Sequence, residues 1–213
     1  MIGWRVLAGC GLALLLAAPA AAQAVEPIGI FAADARVAFP NFKQPDSVAA
    51  ALGVQTLDLP NRGFGVVFGA HFYPLRRSGV TLGIGGEVIA SRRGRTQETT
   101  DATTTPATVI TRFSSAAPQI SLNFGAKQGW SYISGGFGVG RFSTELESKP
   151  PPGASARITV LNYGGGARWF VNQHTAVSLD LRFYAVNGQE ATVGRPAQPK
   201  MTILTLSAGV GFK

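Results

Sequence analysis

From residue 28 onward, apolar residues alternate with polar or small ones at a period of two, in eight stretches of strand length. The alternation predicts strands over 28–39, 64–73, 80–91, 108–124, 130–144, 157–170, 175–186 and 201–212. In the first, Phe31, Ala33, Ala35, Val37 and Phe39 share one face, and Asp34 and Arg36 the other. In the seventh, Val177, Leu179, Leu181 and Phe183 oppose Ser178, Asp180, Arg182 and Tyr184. Pro118 cannot donate a ladder hydrogen bond, so a bulge or register change is expected there.

The links between these stretches alternate in length. Long ones cover 43–61, 92–107, 146–155 and 187–199; short ones cover 74–79, 125–129 and 171–174. Eight antiparallel strands joined in this rhythm carry every long loop at one end. Residues 46–54 are expected to form a short helical turn within the first long loop.

Period-two alternation does not say which face is inside. The polar face is dominated by Gly and Ser rather than the Lys and Glu of a solvated sheet, and small residues suit the cramped interior of an eight-stranded barrel. Its charges are mixed in sign, so they supply each other with partners on burial. The expected lumen network is Asp34, Arg36, His71, Glu87, Gln119, Asn162, Arg168, Asp180, Arg182 and Tyr184. Phe31, Phe39, Phe72, Phe124, Trp169 and Phe212 fall near strand ends on the apolar face, where two interfacial aromatic girdles are expected. The fold class that follows is all-β: an eight-stranded antiparallel transmembrane up-and-down β-barrel, with both termini periplasmic and the long loops outside.

The N-terminus fits an exported protein. Arg5 precedes an apolar run over 6–18, and Ala20-Ala21-Ala22 or Ala22-Gln23-Ala24 supplies a cleavage site, so residues 1–24 read as a signal peptide and 25–213 as the barrel domain. Leu7-Ala8-Gly9-Cys10 also resembles a lipoprotein signal, but cutting at Cys10 would leave half of the apolar run on the mature chain. The chain's one Cys leaves with the signal, so no disulfide is expected. Charged residues are 14% of the chain and hydrophobic residues 46%, without a helix-length apolar run in the mature part. A barrel with one lipid-facing side accounts for that combination. The net charge of +8 is carried by dispersed residues. Outer-membrane lipids and lipopolysaccharide phosphates are therefore the expected counter-charge, rather than nucleic acid. Arg92, Arg93 and Arg95 are the candidate lipopolysaccharide contact, because guanidinium forks match phosphate oxygens.

The stretch Gly164-Gly165-Gly166-Ala167-Arg168-Trp169-Phe170-Val171-Asn172-Gln173-His174, followed by Leu179-Asp180-Leu181-Arg182-Phe183-Tyr184, resembles the small outer-membrane β-barrel proteins of the opacity-protein and outer-membrane-protein-A-like superfamily. The closing Leu204-Thr205-Leu206-Ser207-Ala208-Gly209-Val210-Gly211-Phe212 is similar to that family's last strand. The resemblance implies recognition of this strand by the barrel-assembly machinery. The family usually ends on an aromatic residue, whereas here Lys213 follows Phe212. A monomer with no periplasmic peptidoglycan-binding domain is expected.

His71 and His174 are the two histidines, and neither has a Ser two positions away on its strand face, as a lipid A deacylase would require. His71 is expected to hydrogen-bond in the lumen and His174 to cap a turn. Gly83-Ile84-Gly85-Gly86 lies inside a strand with no helix after it, so it is not a nucleotide loop. No cofactor or metal is expected. The sequence reading is a non-enzymatic outer-membrane barrel acting in envelope integrity or surface interaction through its long loops. A narrow channel, a lipid-modifying outer-membrane enzyme and a soluble periplasmic lipocalin-like barrel are the alternatives.

Overall fold

The computed structural model describes residues 29–77, 79–97, 106–125, 129–151, 155–192 and 195–213; the expected signal segment lies outside them, as does most of the Thr-rich stretch of the second long loop. The eight strands are β1 (Phe31–Asn41), β2 (Phe64–Arg77), β3 (Val80–Thr96), β4 (Thr108–Phe124), β5 (Gly129–Leu146), β6 (Ile158–Phe170), β7 (Thr175–Val186) and β8 (Met201–Phe212). They form a closed antiparallel barrel in sequence order, sealed by pairing of β1 with β8. Four boundaries lie beyond the alternating patterns. β2 runs through the expected turn to Arg77, β3 continues to Thr96, β5 to Leu146 and β1 to Asn41. Strands that project past the membrane no longer need one apolar face, so alternation stops before pairing does.

Pair by pair, the row Phe31–Phe72–Ile84–Ile120–Gly135–Tyr163–Phe183–Leu204 returns to β1 at Asn41, ten residues beyond its start. An even offset is what lets outward residues meet outward residues when the barrel closes. With eight strands it corresponds to a tilt of about 41° and a radius of about 8 Å, room for side chains alone. Outward residues on β3 run from Val80 to Ala90. At that tilt this is about 25 Å of apolar wall, the height of the hydrocarbon band.

Phe68, Ile84, Phe137 and Leu206 are each more than half exposed on this wall, while Asp34, Arg36, Glu87 and Asp180 are buried inside. A lipocalin-like barrel would have those two sets exchanged. The register is the same on both sides of Pro118, so the expected bulge is absent there. The shift falls instead between Phe72 and Leu75, around Pro74. Gly79, with φ of +86°, permits the tight turn from β2 to β3.

The first long loop carries a helix, α1 (Asp46–Leu52), followed by a 3₁₀ turn (Thr56–Asp58). Gly53 ends the helix in the left-handed region, with φ of 69°. Val48 and Ala49 of α1 pack with Leu59 and with Val109 of β4, against partly buried Leu146 of β5. The Gln44 amide donates to the Pro60 carbonyl and Thr111 and accepts from Thr144, holding the loop over the barrel mouth.

Candidate functional site: a lumen filled in three layers

The lumen is the place where polar chemistry is concentrated, and alternation on all eight strands builds it. At the short-turn end is an aromatic floor of Tyr73, Trp130 and Tyr132, with partly buried Phe170. Tyr73 and Trp130 meet edge to face at 5.7 Å, and so do Trp130 and Phe170 at 5.2 Å. The Arg168 guanidinium lies 5.0 Å from the Tyr132 ring centre and 5.7 Å from that of Trp130.

Above the floor is a network of three arginines and three carboxylates. Arg36 reaches Asp34 at 2.8 Å, Glu87 at 2.5 Å and Asp180 at 3.1 Å. Arg168 pairs with Asp34 at 2.6 Å, and Arg182 with Asp180 at 3.0 Å and Glu87 at 3.4 Å. The Tyr132 hydroxyl donates to Asp180 at 2.8 Å and the Tyr184 hydroxyl to Glu87 at 2.7 Å. Arg182 also donates to Ser134, and the Gln119 amide donates to Asn162. Charge balances within the network. That balance, with hydrogen bonds to most of the remaining lone pairs, is the condition for burying ions in low dielectric. Gly69, opposite Asp34 in register, makes room for it: a Cβ there would stand 3.1 Å from both carboxylate oxygens.

The ten lumen residues expected from the sequence are all buried on the inner face. Nine of them enter the hydrogen-bond and ion-pair network; His71 does not. Its ring stacks on Tyr73 at 6.3 Å, and neither ring nitrogen finds a hydrogen-bond partner among the described residues. His174 does not cap its turn through its side chain. The Asn172 side chain accepts from the backbone N–H groups of His174 and Thr175.

The third layer, toward the long loops, departs from the expectation of small and charged residues within. It is an apolar ceiling of Phe42, Val67, Ile89, Phe113, Phe142, Val160, Ile203 and neighbours. Phe113 meets Tyr184 edge to face at 5.3 Å, so the ceiling rests on the ionic layer. These positions share the phase of the polar face but carry apolar residues. The sequence signal was a break in alternation, at Val66-Val67-Phe68, Val88-Ile89-Ala90 and Ile203-Leu204. No group of His, Cys, Asp or Glu side chains that could hold a metal occurs among the described residues.

The aromatic residues on the outer wall are unevenly distributed. Phe31, Phe72, Phe124, Trp169 and Phe212 lie toward the short-turn end, where Phe31 pairs with Phe72 and Trp169 with Gly129. Phe39 alone of the expected six is near the loop end, edge to face with Phe64 at 5.7 Å. Arg92, Arg93 and Arg95 all belong to β3, and alternation divides them. Arg92 continues the outward series Val88, Ala90, whereas Arg93 and Arg95 take the opposite face of the strand. Lys213, the departure from the family ending, donates its backbone N–H to the His174 carbonyl and sets its ammonium 4.6 Å from the Phe170 ring centre.

Comparison with known proteins agrees with this geometry. A family model described as "Outer membrane protein beta-barrel domain" matches residues 10–213. Among solved structures, Neisserial surface protein A is similar with a TM-score of 0.54 at 14% identity, over 87% of this chain and 97% of that one. The attachment invasion locus protein Ail of Yersinia pestis is similar with a TM-score of 0.50 at 13% identity, over 85% of this chain and 95% of that one. At these identities the likeness concerns the fold. No curated protein sequence matches the chain.

Proposed function

The chain belongs to the outer membrane protein beta-barrel family and resides in the outer membrane of a Gram-negative bacterium, and from that premise we propose that it is a sealed, monomeric, non-enzymatic platform that presents its four long loops outside the cell. The carrying observation is the filled lumen: Arg36 bridges three carboxylates between an aromatic floor and an apolar ceiling. A radius of about 8 Å leaves no space for both that filling and a conducting path. The narrow-channel reading is weaker for that reason. The enzyme reading is weaker because His71 is buried against the Tyr73 ring with neither ring nitrogen partnered among the described residues, and His174 has no Ser two positions away in the sequence.

A rigid barrel that holds α1 and the strand extensions above the membrane places polar loop segments at the cell surface, where recognition residues concentrate. The role is surface interaction or support of envelope integrity through those loops. The last strand, β8, is the segment offered to the barrel-assembly machinery. The reading is tested by complementation of a deletion strain for detergent sensitivity and surface adhesion. Full-length protein restores both, and a barrel with residues 43–61, 148–155 and 187–199 replaced by short turns, which keeps Glu147 and Arg157, restores neither. Full restoration by the trimmed barrel would overturn it.

A further inference from the structure

The outer wall changes character at one level on four adjacent strands. On β3 the outward series Val88, Ala90 is followed by Arg92, and on β4 Ala116, Ser114 leads to Arg112. On β5, Phe137 and Val139 are followed by Arg141. On β6, Leu161 and Thr159 continue in phase to Arg157, just before the strand begins. Arg92 is directly opposite Arg112 in register, and Arg141 is opposite Ser114. Ile158 pairs with Gly140, so the next position on each strand sets Arg157 beside Arg141. Opposed residues have Cβ atoms about 5 Å apart and diagonal ones about 7–8 Å, so the four guanidinium groups form one cluster.

Like charges placed directly opposite each other are unfavourable in a sheet, and this arrangement is only partly neutralised. Arg112 pairs with Glu145, and Arg92 reaches Glu147 at 3.5 Å with both side chains more than half exposed. Arg141 and Arg157 are exposed, and neither forms an ion pair or hydrogen bond among the described residues. Immediately beneath them is a cleft of about 380 Å³ in the lipid-facing wall, lined by Val88, Ala90, Ala116 and Val139 and edged by Arg141 and Arg157. The long loops are at this end, so the cluster stands where the outer leaflet's headgroups meet its hydrocarbon.

We propose that the β3–β6 wall is a binding site for a phosphorylated, multiply acylated saccharide lipid of the outer leaflet. Arg141 and Arg157 clasp one phosphate, Arg92 and Arg112 engage a second, and an acyl chain lies in the cleft below. Guanidinium forks match phosphate oxygens bidentately. Three inter-strand steps of about 4.8 Å spread the cluster over about 14 Å, wider than the single phosphate of a glycerophospholipid. The cleft adds an apolar contact that a soluble sugar phosphate does not use. Of the run on β3, Arg92 is the member that takes part; Arg93 and Arg95, on the opposite face, do not.

The test is native mass spectrometry of the full chain in phosphatidylcholine nanodiscs, titrated with bis-phosphorylated lipid A, monophosphorylated lipid A, the deacylated bis-phosphorylated saccharide and phosphatidylglycerol. The site predicts a one-to-one complex with bis-phosphorylated lipid A and about tenfold weaker retention of each of the other three. Arg141→Gln/Arg157→Gln lowers lipid A retention about tenfold, and Arg93→Gln/Arg95→Gln leaves it unchanged. Both variants keep the heat-modifiable gel shift of a folded barrel, because all four side chains are exposed. Wild-type retention by Arg141→Gln/Arg157→Gln would overturn the proposal. So would equal retention of phosphatidylglycerol, which would mean charge alone, or of the deacylated saccharide, which would mean an unused cleft. None of these outcomes touches the loop complementation, so the two readings fail separately.

Discussion

Arg36 of β1 donates to Glu87 of β3 at 2.5 Å across the lumen, with both side chains 2% exposed. The two residues lie on strands separated by β2, so this contact ties non-neighbouring parts of the wall through the interior. Arg36 also holds Asp34 and Asp180. Replacing it leaves three carboxylates with two arginines between them. Arg36→Met is expected to cost about 3–5 kcal/mol, because buried charge is left uncompensated. Urea titration of the gel-shifted folded form measures it. Adding Glu87→Gln should recover part of the loss, so the double variant costs less than the two single changes together.

The apolar ceiling is expected to behave as an ordinary close-packed core. Phe113 is 1% exposed and contacts Phe142 and Tyr184. Phe113→Ala is expected to lose about 3–5 kcal/mol of unfolding free energy in the same titration.

The outer wall is expected to respond to charge according to depth. Phe68 is midway up the wall and Phe124 is at its short-turn edge. Phe68→Arg should cost about 2–4 kcal/mol and Phe124→Arg about 0–1 kcal/mol, measured by refolding equilibria in lipid vesicles. Equal costs would mean that the belt is misplaced.

The first loop should be separable from the barrel. Val48 is fully buried against Leu59 and Val109. Val48→Asp is expected to expose residues 43–61 to protease and to faster hydrogen exchange, while the gel shift of the folded barrel is retained.

Strand number, topology and the two faces were legible in the sequence because a barrel wall separates lipid from lumen residue by residue. Asp34, Arg36 and Asp180 stood out as isolated charges in apolar stretches, and the structure gathers them. The apolar ceiling was not legible. At Val67, Ile89 and Ile203 both faces of the strand are apolar, one against lipid and the other against the packed interior, so alternation vanishes. Pro118 misled because its missing donor is absorbed without a shift in register, whereas Pro74 coincides with one. The arginine cluster was hidden for a different reason. Arg112, Arg141 and Arg157 are far apart in the chain, and only the offset between strands brings them to one level beside Arg92.

The central claim, a lumen closed by its own side chains, is tested most directly by single-channel conductance of the purified full chain in a planar lipid bilayer. The layered filling predicts a bilayer that stays electrically silent after insertion of gel-shifted, folded protein. Discrete, reproducible conductance steps from that folded form would contradict it.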